Sequence, residues 1–222
     1  MVRKFVATAP PNNTRILLVC EGEKDELFFR RLIDGRNLHG LGLHVLNARG
    51  NSKFREAVTG FQLEYPQKYR LLRAILIVAD KDDSATQRFD DVCDQIEKMR
   101  GAGTRPRGQM QASGGNAPPI FVLMMPTHQE HGHLESQCLH AARRANGHAA
   151  TTTDNMMALA HADAWDSQSR RDKAWLRVNL AIGCPDPFVP LGRIFEQPKY
   201  QNLIPVTDAA FAGILQAIQQ LP

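Results

Sequence analysis

The chain has 222 residues, with 27 Lys and Arg against 23 Asp and Glu, a formal charge of +4 and a pI near 9.0. At 43% hydrophobic and 23% charged it has the make-up of a soluble protein with one sizeable core, and no apolar run approaches the roughly 20 residues that span a bilayer. The excess of base fits a polyanionic partner, because Lys and Arg release counterions from a phosphate backbone; it is also common on soluble proteins.

Cys20, Cys93, Cys138 and Cys184 are widely spaced with no Cys-x-x-Cys pair, and Cys20 and Cys93 sit inside apolar patterns. A reduced, cytoplasmic setting is expected. Residues 1–14 start with basic residues and are interrupted by Pro10, Pro11, Asn12 and Asn13. They read as a flexible N-terminus and a poor signal peptide.

Residues 15–20 form a continuous apolar run of strand length, as expected of a strand covered on both faces. A helix follows with Phe28, Phe29, Leu32 and Ile33 on one stripe, and Asp25 and Glu26 suit its positive N-terminal end. Residues 43–46 predict a second strand. Phe54, Ala57, Val58 and Phe61 then recur at helical spacing, after a Gly50-Asn51-Ser52-Lys53 turn. That turn reads either as a phosphate cradle with Lys53 facing the substrate or as an N-cap by Ser52.

Residues 74–79 are the clearest strand and run straight into Asp80. Phe89, Val92, Cys93, Ile96 and Met99 mark another helix. Residues 101–119 hold five glycines and three prolines and predict a flexible loop, in which Arg105 and Arg107 are candidate nucleic-acid contacts. A fourth strand, residues 120–125, stops at Pro126. The β-α-β-α-β-α-β order predicts an α/β fold, a Rossmann-like parallel four-stranded sheet with helices on its faces.

The last third is helical in character. Ala174, Trp175, Val178, Ala181 and Ile182 are expected on one helix face, and Phe211, Ile214, Leu215 and Ile218 on another, around a loop at Pro185, Pro187 and Pro190. The expected organisation is residues 15–140 as the sheet domain and 141–222 as a helical extension packed on the same core.

Two predicted strands end in acids: Glu21, Glu23 and Asp25 after the first, Asp80, Asp82 and Asp83 after the third. In an open parallel sheet, ligands collect at the strands' carboxyl ends. Carboxylates crowded there repel unless protonated or bridged by a cation, and oxygen donors alone select Mg²⁺ or Mn²⁺ over Zn²⁺. His128, His131 and His133 near Cys138 match no familiar zinc spacing and read as polar loop residues.

The blocks Ile16-Leu-Leu-Val-Cys-Glu21-Gly22-Glu23-Lys-Asp25 and Ile75-Leu-Ile-Val-Ala-Asp80-Lys-Asp82 resemble the TOPRIM domain shared by topoisomerases, bacterial primases and OLD-family nucleases. A third block, Val122-Leu-Met-Met-Pro126 running to Gly132-His-Leu-Glu135, resembles small stand-alone TOPRIM-like proteins. The resemblance implies a TOPRIM fold and metal-dependent phosphodiester cleavage of DNA or RNA. It implies Glu21 as metal ligand or proton shuttle, Asp80 and Asp82 as ligands, Asp25 and Glu135 as a second tier, and Lys173 as the cation stabilising developing charge. Glu23 would orient the turn. No Gly-x-x-x-x-Gly-Lys-[Ser/Thr] motif is present, so a nuclease of this kind is expected to act beside a separate ATPase, in defence, with homo-oligomerisation left open. The alternative is a non-catalytic module that binds metal or nucleotide and works through a partner protein.

Overall fold

The computed structural model describes residues 9–115 and 117–222. Its first part alternates strand and helix as the apolar pattern requires: β1 (Ile16–Cys20), α1 (Glu23–Gly35), β2 (Leu43–Asn47), α2 (Phe54–Glu64), the short α3 (Pro66–Arg70), β3 (Ala74–Asp80), α4 (Ala85–Arg100) and β4 (Ile120–Met125). The helices α5 (Leu134–Ala145), α6 (Gly147–Leu159), α7 (Gln168–Gly183), α8 (Leu191–Glu196) and α9 (Ala212–Gln219) follow.

The four strands form one all-parallel sheet in the order β2-β1-β3-β4. From β1 the chain moves one way to β2, then returns past β1 to β3. Right-handed crossovers in opposite directions put their helices on opposite faces, and alternating strand side chains show this. Leu18, Cys20, Leu76 and Val78 pack with residues of α1, α5, α7, α8 and α9. Leu17, Val19, Ile75 and Ile77 pack with α2 and α4. Both faces are dry, which is why the strands read as unbroken apolar runs.

The α1 layer is filled largely by aromatics. Phe28 meets Phe29, Phe195 and Phe211 with ring centroids 5.1, 5.2 and 5.2 Å away, so α1, α8 and the entry to α9 share one hydrophobic cluster. A fully buried Phe contributes roughly 1.5–3 kcal/mol from transfer alone, so the C-terminal helices close the same core that the sheet opens.

Three expectations on local structure need correction. On α7 the buried stripe is Asp172, Trp175, Leu176, Asn179 and Leu180, whereas Ile182 is 37% exposed. The apolar periodicity missed this rotation because two of the inward residues are polar. Ser52 does not cap α2: the N-cap position is Lys53, with no side-chain cap. Residues 101–119 contain no helix or strand among their described residues, yet they are tied down. Met110 and Ser113 donate backbone N–H bonds to Val122 and Ile120 of β4, at 3.0 and 2.8 Å.

Of the expected N-terminal segment, residues 1–8 lie outside the described residues, and Thr14 is buried with its hydroxyl donating to Pro11 O at 2.8 Å. Among the described residues no helix is long and apolar enough to cross a membrane.

Candidate carboxylate site

The connections leave β1 in one direction and return to β3 on its other side, so a crevice opens at the carboxyl ends of these two neighbours. Glu21 follows the last residue of β1, and Asp80 is the last residue of β3. Glu21 Oε1 accepts the Asp80 backbone N–H at 3.0 Å and an Arg88 guanidinium N–H at 2.9 Å. Arg88, on the first turn of α4, also lies 3.1 Å from Asp82 and 3.8 Å from Asp91. Ser84 caps α4 through its side-chain oxygen, which fixes the start of the helix that carries Arg88.

A second side of the crevice comes from α1. Asp25 Oδ2 accepts the Gly22 N–H at 2.9 Å, holding the turn between β1 and α1. Asp25, not Glu23, performs that job; Glu23 is exposed, as is Asp83.

A third side comes from the loop before α5. Asp82 has a left-handed backbone, φ +48°, and exchanges two backbone hydrogen bonds with Gly132, at 2.8 and 2.9 Å. This bridge brings the start of α5 to the end of β3, and with it Glu135, whose carboxylate pairs with Lys24 at 2.7 Å.

Asp25 and Asp80 are 3% and 8% exposed. Three oxygens here, Asp25 Oδ1, Asp80 Oδ1 and Glu135 Oε2, are buried with no hydrogen-bond partner. Burying a carboxylate oxygen without a partner is costly, and the protonation equilibria carry the strain. Burial pushes Asp80 well above the usual carboxylate range, and the charges of Asp25 and Glu21 push it further. Asp25 is raised by burial to about 6, against the pull of Lys24 and the Gly22 N–H. Glu21 is raised by burial, against the Asp80 N–H and Arg88. For Glu135 burial also raises the pKa, but Lys24 outweighs it and the net shift is downward.

The donors are all oxygen, from the carboxylates of Glu21, Asp25, Asp80, Asp82 and Glu135, and the oxygens without a hydrogen bond are the ones a hard cation would use. Oxygen donors of this kind suit Mg²⁺ or Mn²⁺ over Zn²⁺. Among the described residues no group of three or more His, Cys, Asp or Glu side chains is placed so that it could hold a metal ion as it stands. Arg88 occupies Glu21 and Asp82, and Lys24 occupies Glu135, so a cation would have to compete with both.

Glu21, Asp25, Asp80, Asp82 and Glu135 are thus brought together. Lys173 lies on α7, where its charge bears on His133; the cation acting on Asp80 is Lys24. Lys53 is exposed, in the turn whose Gly50 N–H donates to Glu21 O at 2.8 Å. Arg105 is engaged with Asp90 and Asp94 of α4, and Arg107 is exposed.

His133 is no loop residue in water. It is 1% exposed, at the N-cap of α5, with Nε2 2.6 Å from Ser169 Oγ and Nδ1 3.3 Å from Ser136 Oγ. Ser136 donates in turn to Asp172 at 2.5 Å. Lys24, Arg88 and this network escaped the sequence reading. Lys24 carried a signal, since it lies inside the acidic run after β1.

A family model described as "Protein of unknown function (DUF3226)" matches residues 15–197. No curated protein matches the chain. Among solved structures, the C-terminal region of the OLD protein of Xanthomonas campestris pv. campestris is similar in three structures phased with iodine, mercury and platinum. The one phased with iodine has 17% identity and a TM-score of 0.40 over 94% of this chain and 96% of that one. The one phased with platinum has 18% identity and a TM-score of 0.41 over 93% and 92%.

Proposed function

The chain belongs to the family of proteins of unknown function DUF3226, and we propose that it is a Mg²⁺- or Mn²⁺-dependent phosphodiesterase of nucleic acid. The observation that carries this reading is the trio of buried carboxylate oxygens without a hydrogen bond on Asp25, Asp80 and Glu135, of which Glu135 Oε2 lies 3.5 Å from His133 Nδ1. They come from three elements at the open end of a parallel sheet. A protein that only needed to fold would be better served by neutral side chains there.

Asp80 at the end of β3 and Asp25 on α1 would hold the cation, Asp82 and Glu21 would add oxygens where Arg88 gives way, and Glu135 would support a second position. Bound divalent cations supply Lewis-acid activation of water and stabilise charge on the leaving oxygen. The chain's own part is to position the phosphodiester, to exclude bulk water around Asp80, and to hold or move a proton at Glu21, whose carboxyl pKa burial raises. Lys24, paired with Glu135, limits the negative charge that the site turns toward a phosphate. The resemblance to TOPRIM nucleases supports the same roles, and with them action beside a separate ATPase.

The test is incubation with plasmid, single-stranded DNA and RNA in Mn²⁺, Mg²⁺ or EDTA. Cleavage should require the cation and fall about a hundredfold to a thousandfold in Asp80→Ala and Glu21→Ala, the scale expected when a charge-stabilising group is lost. Equal cleavage by Asp80→Ala and the parent sinks the assignment. The second reading, a non-catalytic metal-binding module, draws on one observation: Arg88 already neutralises Glu21 and Asp82. Cation-dependent binding without cleavage would favour it.

A further inference from the structure

Some cations on this surface meet acids: Arg88, Arg105, Arg143, Arg144 and Arg193 each pair with at least one carboxylate. Helix α7 gathers three cations on one face. Arg170, Lys173 and Arg177 recur at i, i+3 and i+7 along one face, and among the described residues none of the three forms an ion pair with a carboxylate. They line one cleft of about 510 Å³ together with Trp165. The Arg170 guanidinium lies 5.3 Å from the centre of the Trp165 ring.

Arg177 also lines a second cleft, of about 520 Å³, whose walls include Glu135, Lys24 and Phe188. The two clefts therefore adjoin at Arg177, and the second one opens on the carboxylate site. Phe188 is 91% exposed, the most exposed large apolar side chain among the described residues.

We infer that α7 is a track for single-stranded nucleic acid: Arg170, Lys173 and Arg177 hold successive phosphates, while Trp165 and Phe188 stack bases at its two ends. This rests on the phosphodiesterase reading for its direction, since the strand would run from Trp165 toward Glu135 and Lys24. The chemistry selects the partner. Residues three or four apart on a helix stand roughly 5–6 Å apart at Cβ, a step that a flexible strand's phosphates can follow. Aromatic faces stack only on bases that are unpaired, and each such contact is sequence-tolerant. A duplex offers phosphates but no free base faces, so it would use the cations and leave both rings idle.

The track is also registered to the site. Ser169 of α7 bonds His133 at the N-cap of α5, and Asp172 of α7 accepts from Ser136. These buried bonds fix α7 against the helix whose first turn carries Glu135, so a strand lying on α7 reaches the carboxylates at a fixed offset.

The experiment is fluorescence anisotropy in EDTA with labelled twelve-nucleotide oligo-dT, oligo-rU and a duplex of equal length, across a salt series. The parent should bind both single strands more tightly than the duplex; the dT and rU arms separate DNA from RNA. Three phosphate contacts give a slope of log affinity on log salt of about −2. Arg170→Ala/Lys173→Ala/Arg177→Ala should flatten that slope by the same amount and weaken binding at least about tenfold. Phe188→Ala, at a site too exposed to affect folding, should weaken single-strand binding about fivefold or more and leave duplex binding alone. Equal affinity for duplex and single strand, an unchanged salt slope in the triple variant, or no effect of Phe188→Ala on single strands overturns the track. Binding is read without metal, so the two readings fail separately. Cleavage lost in Asp80→Ala with unaltered binding in the α7 variants refutes only the track; binding lost in those variants with no cleavage by the parent refutes only the phosphodiesterase.

Discussion

Replacing Asp25 by Asn tests whether the crevice is built for a cation rather than for stability. Asp25 has its pKa raised from 3.8 to about 6 in the folded chain, so its ionised form is held at a disadvantage relative to the unfolded state. A shift of about 2 units corresponds to about 3 kcal/mol. For a group whose folded pKa lies above its unfolded one, the stability it contributes is fully present below about pH 4 and is lost as pH rises through about 6. Asparagine mimics the protonated acid: its carbonyl can still accept from Gly22 N–H, and its amide can face Asp80, whose Oδ1 has no partner. In EDTA the variant should match the parent near pH 4 and exceed it by about 3 kcal/mol near pH 8, a rise in Tm of about 6–12 °C for a chain of this size. Thermal melts across that pH range, with urea titrations at both ends, provide the assay. In saturating Mn²⁺ the advantage should shrink or reverse, because only the carboxylate gains from the ion. A variant less stable than the parent at the higher pH without metal, or a difference independent of pH, would refute the premise that buried charge strains this site.

Mn²⁺ itself should raise the parent's Tm above about pH 7 and much less below about pH 5, where Asp25, raised to about 6, holds a proton; ion at a hundredfold excess over its Kd stabilises by about 2.7 kcal/mol. Arg88→Gln should lower stability in EDTA by about 1–3 kcal/mol, since Glu21 and Asp82 lose their shared donor. It should also tighten Mn²⁺ binding, because a competitor is gone; weaker Mn²⁺ binding in this variant would show that Arg88 organises the site instead. Phe28→Ala should cost about 3–5 kcal/mol in urea titrations by opening the cluster shared by α1, α8 and Phe211.

The strands and their acidic ends were legible because both signals are local. A strand dry on both faces is a continuous apolar run, and Glu21 and Asp80 each stand at the end of one. The adjacency of β1 and β3 was a condition rather than a reading, and the sheet order meets it. What escaped depends on partners distant in sequence. Arg88 sits on the polar side of an amphipathic helix and looks like any solvated cation until Glu21, 67 residues earlier, is placed beside it. His133 looked like a loop histidine because its partner Ser169 is 36 residues away. The turned face of α7 has the same origin: Asp172 and Asn179 point inward because other elements satisfy or enclose them, and periodicity counts only apolar residues.

The same packing that completes the core also assembles the outer part of the site. One face of the sheet cannot stay wet, since Leu18, Cys20, Leu76 and Val78 all point to it. Helices α5, α7, α8 and α9 must therefore return to cover it. Covering it brings α5 to the end of β3, where the Asp82–Gly132 bridge fixes its approach, and Glu135 arrives as part of the first turn. It also lays α7 along α5, pinned by His133 and Asp172, with its opposite face turned to solvent carrying Arg170, Lys173 and Arg177. If that geometry is the reason the buried polar pair exists, Asp172→Asn should leave the charge row intact yet slacken its placement. Cleavage should then fall about tenfold or more while oligo-dT binding in EDTA changes by less than about twofold, a misplacement effect rather than a loss of contact. Binding and cleavage lost in parallel would instead mean that Asp172 holds α7 folded and says nothing about register.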